Sequence, residues 1–140
     1  MRKILFRGKR TNNGEWVEGS YVAANHHWHK HGIHRDWIVC NAYANGGWFA
    51  LGVKYPVITE SIGQFTGLTD KNGKKIFEGD ILNTSNSNCR IWYVDYKNTA
   101  FCSNQGNANY SCVLDDFMLY SSVEVIGNIH DNPELLKGGK

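Results

Sequence analysis

IGQFTGLTDKNGKKIFEGDIL, residues 62–82, is the stretch that decides the fold. Two short apolar runs flank Asp70-Lys71-Asn72-Gly73, whose Asn-Gly pair is a strong short-range signal for a tight turn between strands. Gly63 and Gly67 interrupt the first run, and glycine inside a strand marks a bulge or a close backbone approach. Glu78-Gly79-Asp80 reads as a second sharp turn, delivering Ile81-Leu82 as a fresh strand into a barrel. On this reading every residue of the stretch shapes the barrel. Exposed Gln64, Thr66 or Asp80 lining a ligand groove is the sharper alternative.

The same grammar extends outward. Asn13-Gly14 separates candidate strands at residues 3–10 and 15–23, and Asn45-Gly46-Gly47 separates strands at 36–40 and 48–53. Residues 90–96 alternate, with Trp92, Val94 and Tyr96 on one side and Ile91, Tyr93 and Asp95 on the other. Lys97-Asn98 then turns into a strand at 99–102, and strands at 110–114, 117–120 and 123–129 complete the set. Polar residues at 83–88 and 103–109 read as loops. No long segment carries a helical period. One helix start stands at the end, with Asn132 as N-cap, Pro133 in the first helical position and Glu134 in the first turn. So short a helix must dock to persist, with Leu135 and Leu136 as its anchors, and residues 137–140 should fray. The expectation is an all-β fold: a small SH3-like barrel or roll with additional hairpins and a short C-terminal helix. Residues 1–140 form a single domain on this reading, although Tyr55-Pro56 could separate an N-terminal hairpin layer from a later barrel.

Composition supports that architecture and narrows the function. The chain has 140 residues, fifteen glycines, two prolines, five tryptophans and seven tyrosines, proportions that suit many short strands joined by tight turns. Charged residues are 20% of the total and the formal net charge is +2, which argues against a disordered charged tail and against binding nucleic acid by bulk charge alone. Protonation of six histidines would make the chain more basic below about pH 6. Cys40, Cys89, Cys102 and Cys112 form no C-x-x-C pair. Cys89 and Cys102 could face each other across a hairpin, but buried small hydrophobes are the simpler role. The apolar run Ile4-Leu5-Phe6 ends at Arg7, too soon for a secretory signal, and no run approaches the roughly 20 apolar residues of a membrane span. The expected setting is a reducing cytoplasm.

Three blocks carry a family resemblance: Phe6-Arg7-Gly8-Lys9 with Gly14-Glu15-Trp16-Val17; residues 62–82; and VEVIGNIHDNPELL, residues 123–136. In order and spacing they resemble the YopX family of bacteriophage and prophage proteins. The resemblance implies an SH3-like β fold, a bacterial host cytoplasm, and an accessory role in replication, recombination, regulation or host takeover. It implies no molecular activity. Residues 25–57 and 83–120 lie outside it, the histidine cluster included.

Candidate sites fall into three groups. Trp28, Trp37, Tyr43, Trp48 and Phe49 crowd a segment outside the family-like blocks, and such aromatics anchor protein interfaces by joining apolar area to a hydrogen bond. The segment is therefore the leading candidate for contact with a phage or host protein or a second copy of the chain, with residues 83–88 as a second candidate. Arg2, Lys3, Arg7, Lys9 and Arg10 crowd the first strand, while Arg90, Trp92 and Tyr93 combine cations with stacking surfaces, the pattern of single-strand nucleic-acid binders. Against that alternative, basic residues also protect a sheet edge, and Trp92 and Tyr96 share a face that suits a core. His27, His29 and His31 would share one face of an extended strand, and with His34 or Asp36 could hold zinc or nickel. A His-rich loop that grips metal only adventitiously explains the same residues, so no cofactor is expected.

Catalytic signatures are missing: no G-x-S-x-G, P-loop, G-x-G-x-x-G or H-E-x-x-H occurs. Asp70-x-Asn72 hints at a calcium loop, but Lys74 occupies a ligand position. Adjacent Asp115 and Asp116 would face opposite ways on a strand. The expected function is that of a non-catalytic accessory protein acting through protein contacts, with nucleic-acid binding and metal dependence as alternatives.

Overall fold

A computed structural model describes residues 3–23, 35–40, 52–84, 91–97, 100–104, 111–115, 118 and 122–137. Its regular structure is almost entirely antiparallel strand, in two compact units, Met1–Gln64 and Phe65–Lys140. The all-β expectation holds. The strands form open sheets, however, and not a closed barrel.

The first unit contains β1 (Phe6–Lys9), β2 (Trp16–Val22), β3 (Asp36–Cys40), β4 (Val53–Val57) and the opening residues of β5 (Gly63–Thr69). Gly14 takes φ +71° in the β1–β2 turn, the left-handed conformation that its Asn-Gly pair signals. The strands run in the order β4-β3-β2-β1, with β5 on the far side of β1. The basic first strand is therefore interior. Its cations do not guard a sheet edge, because β1 spends both sides on neighbouring strands.

Period two sorts this sheet into faces. Phe6, Gly8, Tyr21, Ile38 and Val57 lie on the inner face, where Ile38 is wholly buried and Val57 nearly so. Gly8 is there because a Cβ would meet the Val57 side chain at 3.0 Å. Tyr55-Pro56 is no joint between layers: both residues lie inside β4, opposite Ile38 and Trp37. Proline is tolerated in this edge strand. An isolated bridge, Arg10 to Val57, brings the end of β1 against the end of β4. The Thr11 N–H donates to the Pro56 carbonyl at 3.0 Å and the Ile58 N–H to the Lys9 carbonyl at 2.8 Å. Pro56 has no N–H to return the bond, so the ladder stops there. A 3-10 turn at Thr59–Ser61 follows; its Ser61 hydroxyl accepts from the Lys9 N–H at 2.8 Å.

In the second unit β5 pairs with β6 (Lys75–Phe77), with a register shift between Phe65 and Thr69 that places the bulge around Gly67. A five-stranded sheet follows the order β10-β9-β8-β7-β11, formed by β7 (Asp80–Thr84), β8 (Ile91–Lys97), β9 (Ala100–Asn104), β10 (Ser111–Val113) and β11 (Val123–Asn128). Leu82, Val94, Phe101, Leu114, Val123, Val125 and Ile76 form its core, with Leu68, Trp92 and Met118 packed against them. Leu114, Asp115 and Met118 are helical, which corrects the strand expected at residues 117–120 at Met118, the one of those residues that is described. Leu114 belongs to that core and Met118 packs against it.

The C-terminal helix is a 3-10 turn at Pro133–Leu136, opened by Pro133 as expected and lying against β8. Asn132 does not cap it with its side chain. That side chain instead sits against Gly127, with its Oδ1 2.6 Å from where a Cβ on residue 127 would be, so any larger residue there would have to displace it. Leu135 and Leu136 are half-buried.

Candidate functional site

The buried polar residues are the first place to look for chemistry, and Asp36, Ser61, Thr66, Asp70 and Asp80 are each committed to the scaffold. Asp36 accepts the Tyr21 hydroxyl on Oδ1 at 2.9 Å and the Thr59 hydroxyl on Oδ2 at 2.6 Å. It belongs to the inner side of the first sheet, holding Tyr21 and Thr59, while the histidines it was expected to join lie outside the described residues. Burial, then the hydrogen bond to Asp36 and its charge, push the Tyr21 phenol above its usual range. Cys40 donates its thiol to the Glu18 carbonyl at 3.0 Å. Burial, aided by the Glu18 charge, raises its pKa and disfavours the nucleophilic thiolate.

The residues of the deciding stretch behave likewise. Thr66 donates to the Ile76 carbonyl at 2.8 Å and accepts from the Leu68 N–H at 3.2 Å. Asp80 is almost fully buried and accepts the Phe77 N–H at 2.8 Å. Neither lines a groove; both shape the turn and strand around them. Asp70 is buried and accepts three backbone donors: Asn72 and Lys74 on Oδ1 at 2.8 and 2.9 Å, and Val125 on Oδ2 at 3.0 Å. Burial works to raise its pKa, but the three N–H groups and the Lys74 charge outweigh it and hold the carboxyl below its ordinary value. A carboxylate saturated by the backbone is a turn buckle, not a calcium ligand.

The surface candidates separate more clearly. On the outer face of the first sheet, Arg7 pairs with Glu18 and Lys9 with Trp16 across β1 and β2. Val22 lies opposite Trp37, Trp37 opposite Pro56, and Val39 opposite Lys54. The Arg7 guanidinium stands 4.8 Å from the Trp16 ring centre. Trp16 and Trp37 are half-buried, Lys54 is exposed, and Val22 is 48% exposed. Sequence reasoning found Arg7, Lys9 and Trp37 but missed Trp16, Val22 and Lys54. The period-two register of Trp16, Glu18, Ser20 and Val22 is the signal that carries them.

Arg10 belongs elsewhere. It stacks over Tyr55 at 4.5 Å and pairs with Glu15 at 3.1 Å, bracing the closure between β1 and β4. Lys3 is exposed at the N-terminal approach to β1. Trp92 packs against the core of the second unit, and Tyr93 is half-buried opposite Ile81. Tyr96 is 50% exposed with its ring edge-on to Phe101 at 5.1 Å. Arg2, Trp28, Tyr43, Trp48, Phe49, Arg90, Cys89, His27, His29, His31 and His34 lie outside the described residues, as do residues 85–88 of the second candidate loop. Among the described residues no group of three or more His, Cys, Asp or Glu side chains converges on a metal position. Among them, too, no helix is long and apolar enough to cross a membrane.

Two sheets of short antiparallel strands, with polar buckles at their turns and an aromatic-cationic outer face, define the class of protein. The YopX protein family matches residues 5–137, and the chain belongs to that family. Among solved structures it is similar to protein EF1440 from Enterococcus faecalis, at 26% identity and a TM-score of 0.53, over 97% of this chain and 99% of that one. It is also similar in fold to protein YopX from Bacillus subtilis, at 17% identity and a TM-score of 0.54, with both chains covered in full. A search of the curated proteins finds no match.

Proposed function

We propose that this YopX-family chain is a non-catalytic phage or prophage accessory protein that works by binding another protein. The outer face of its first sheet would be part of the contact surface. One observation carries the reading: Trp37 lies half-buried between Pro56 and the exposed Val22, beside Val39, on the face opposite the Ile38–Val57 core. A tryptophan on an apolar strip flanked by Lys54 and Glu18 is the composition of an interface anchor with a polar rim. Trp28, in the connection from β2 to β3, and Tyr43, Trp48 and Phe49, in that from β3 to β4, adjoin this sheet in the chain. Asp36, Ser61, Thr66, Asp70 and Asp80 support a binding role over catalysis, since each holds backbone or a neighbouring side chain.

The test is capture from infected or lysogenic cells with wild type and Trp37→Ala. A partner retained by wild type and lost by the variant supports the reading. Identical recovery by both, with the fold intact by circular dichroism, removes this face from the interface. Arg7 over Trp16, with Lys9 alongside, favours a second reading in which the same face takes single-stranded nucleic acid. Binding that survives near-physiological salt and is lost on Trp16→Ala would place that reading first, whereas a weak, steeply salt-dependent signal reports only generic charge.

A further inference from the structure

Two Asn-Gly pairs lie among the described residues, Asn13-Gly14 between β1 and β2 and Asn72-Gly73 between β5 and β6. Both glycines take positive φ, +71° and +80°. Both also donate their N–H across the turn, Gly14 to the Arg10 carbonyl at 3.0 Å and Gly73 to the Asp70 carbonyl at 2.9 Å. The asparagine side chains differ. Asn13 is held at both ends of its amide: Nδ2 donates to Glu15 Oε2 at 2.8 Å, and Oδ1 accepts from the Glu15 N–H at 3.1 Å. Asn72 is exposed, and among the described residues no hydrogen bond holds its side chain. A Cβ on residue 73 would meet nothing within 4 Å, whereas one on residue 14 would meet Lys9 Cε at 3.5 Å. Room and a loose amide coincide at Asn72 alone of the two.

We propose that Asn72 is a site of covalent modification, converted without an enzyme to aspartate and isoaspartate, and that the isoaspartyl product unfastens the Asp70 turn. The Gly73 nitrogen attacks Asn72 Cγ. An N–C bond forms, the Cγ–Nδ2 bond breaks, and ammonia leaves with the proton that Gly73 gives up. Water then opens the cyclic succinimide at either carbonyl, restoring the ordinary chain as aspartate or rerouting it through the side-chain carbon as isoaspartate. The Gly73 N–H must first leave the Asp70 carbonyl, and glycine lets that peptide unit rotate while the amides of residues 72 and 74 stay on the Asp70 carboxylate. The damage follows from where the new backbone carbon lies. Asp70 Oδ1 accepts the Asn72 and Lys74 amides, at 2.8 and 2.9 Å, from either side of the altered linkage. A longer chain between them no longer fits both to one oxygen. The Oδ2 bond to the Val125 N–H then loses the support that fixes the carboxylate. The product also sets a second negative charge close to Asp70 in the chain.

The test ages the folded chain in mildly alkaline buffer and maps amide-to-acid conversion by peptide mass spectrometry, with an isoaspartyl methyltransferase to label the isomer. A sample unfolded in urea gives the rate of each pair without structure. In the folded chain, conversion should run several-fold faster at residue 72 than at residue 13. Glu15→Ala, which frees Nδ2 of Asn13, should raise the rate at residue 13. The Val125 amide should exchange faster in aged wild type and keep its protection in aged Asn72→Gln, whose longer side chain closes the ring far more slowly. Equal rates at the two residues, a rate at residue 13 that Glu15→Ala leaves unchanged, or conversion at residue 72 in the unfolded sample alone each overturn the assignment. Unchanged Val125 exchange in isoaspartyl-labelled protein overturns the unfastening.

Discussion

Asp70 shows how much one side chain can carry. In the unfolded chain its carboxyl titrates near 3.8, and in the folded protein below that value. The stabilisation it lends is therefore complete above about pH 4 and is lost as the pH falls through the lowered folded value. Asp70→Asn should cost about 1–3 kcal/mol at neutral pH, for the Val125 N–H left without an acceptor. Urea unfolding from pH 7 downward checks both points: the difference between wild type and variant should shrink as acid is added. Nothing in the sequence announces this role, because Val125 is 55 residues away. The Asn-Gly turn beside Asp70 was legible, since its chemistry is local. Gly19 is another residue whose reason lies at a distance. A Cβ there would drive into the Val39 carbonyl oxygen of the neighbouring strand. Gly19→Ala should then destabilise the first unit by about 1–3 kcal/mol, read as a lowered urea midpoint.

Among the elements, β8 decides what its aromatics can be used for. Trp92 and Val94 serve the core as their alternation indicates, while Tyr96, on the same side by period, reaches solvent across Phe101. Trp92→Ala should cost about 2–3 kcal/mol, whereas Tyr96→Ala should cost under about 1.5 kcal/mol, both by urea unfolding. Loss of nucleic-acid binding in the tryptophan variant would thus report damage to the core before it reported a lost contact. The C-terminal turn belongs to the same balance. Removing residues beyond Asn132 takes two half-buried leucines from β8, and should lower stability by about 1–2 kcal/mol. The sequence placed this turn through Pro133. It could not tell that Asn132 packs on Gly127 instead of capping, because that contact depends on how β11 bends after its register shift at Val125 and Gly127.

For the molecule as a whole, turn chemistry and strand period were legible, and pairing order was not. β3 spans the residues expected of it, and β2 differs from expectation by one residue at each end. Strand order depends on which apolar faces meet across long separations, so β1 could be mistaken for an edge and β4 for a linker around Pro56. The candidate site was legible to the same depth, with Trp37, Arg7 and Lys9 found singly and their shared face visible only once β1, β2 and β3 were paired. Self-association should be tested at this scale by light scattering of wild type and Trp37→Ala across concentration. A wild-type mass that rises while the variant's does not would make a second copy one of the partners of this face. Equal behaviour of the two would leave a phage or host protein as the partner to seek.

The bridge between Arg10 and Val57 also sets a timetable. Thr11 and Pro56, which meet beside it, are 45 residues apart, and closing so long a loop costs entropy before any contact rewards it. The β1–β2 hairpin needs no such closure and can form first. Joining β1 to β4 is then the late event in folding the first unit, and its two flanking hydrogen bonds are the early ones to open in the native state. The amides of Thr11 and Ile58 should exchange with solvent ahead of those paired within β1 and β2, a seam that comes undone while the hairpin beside it stays shut.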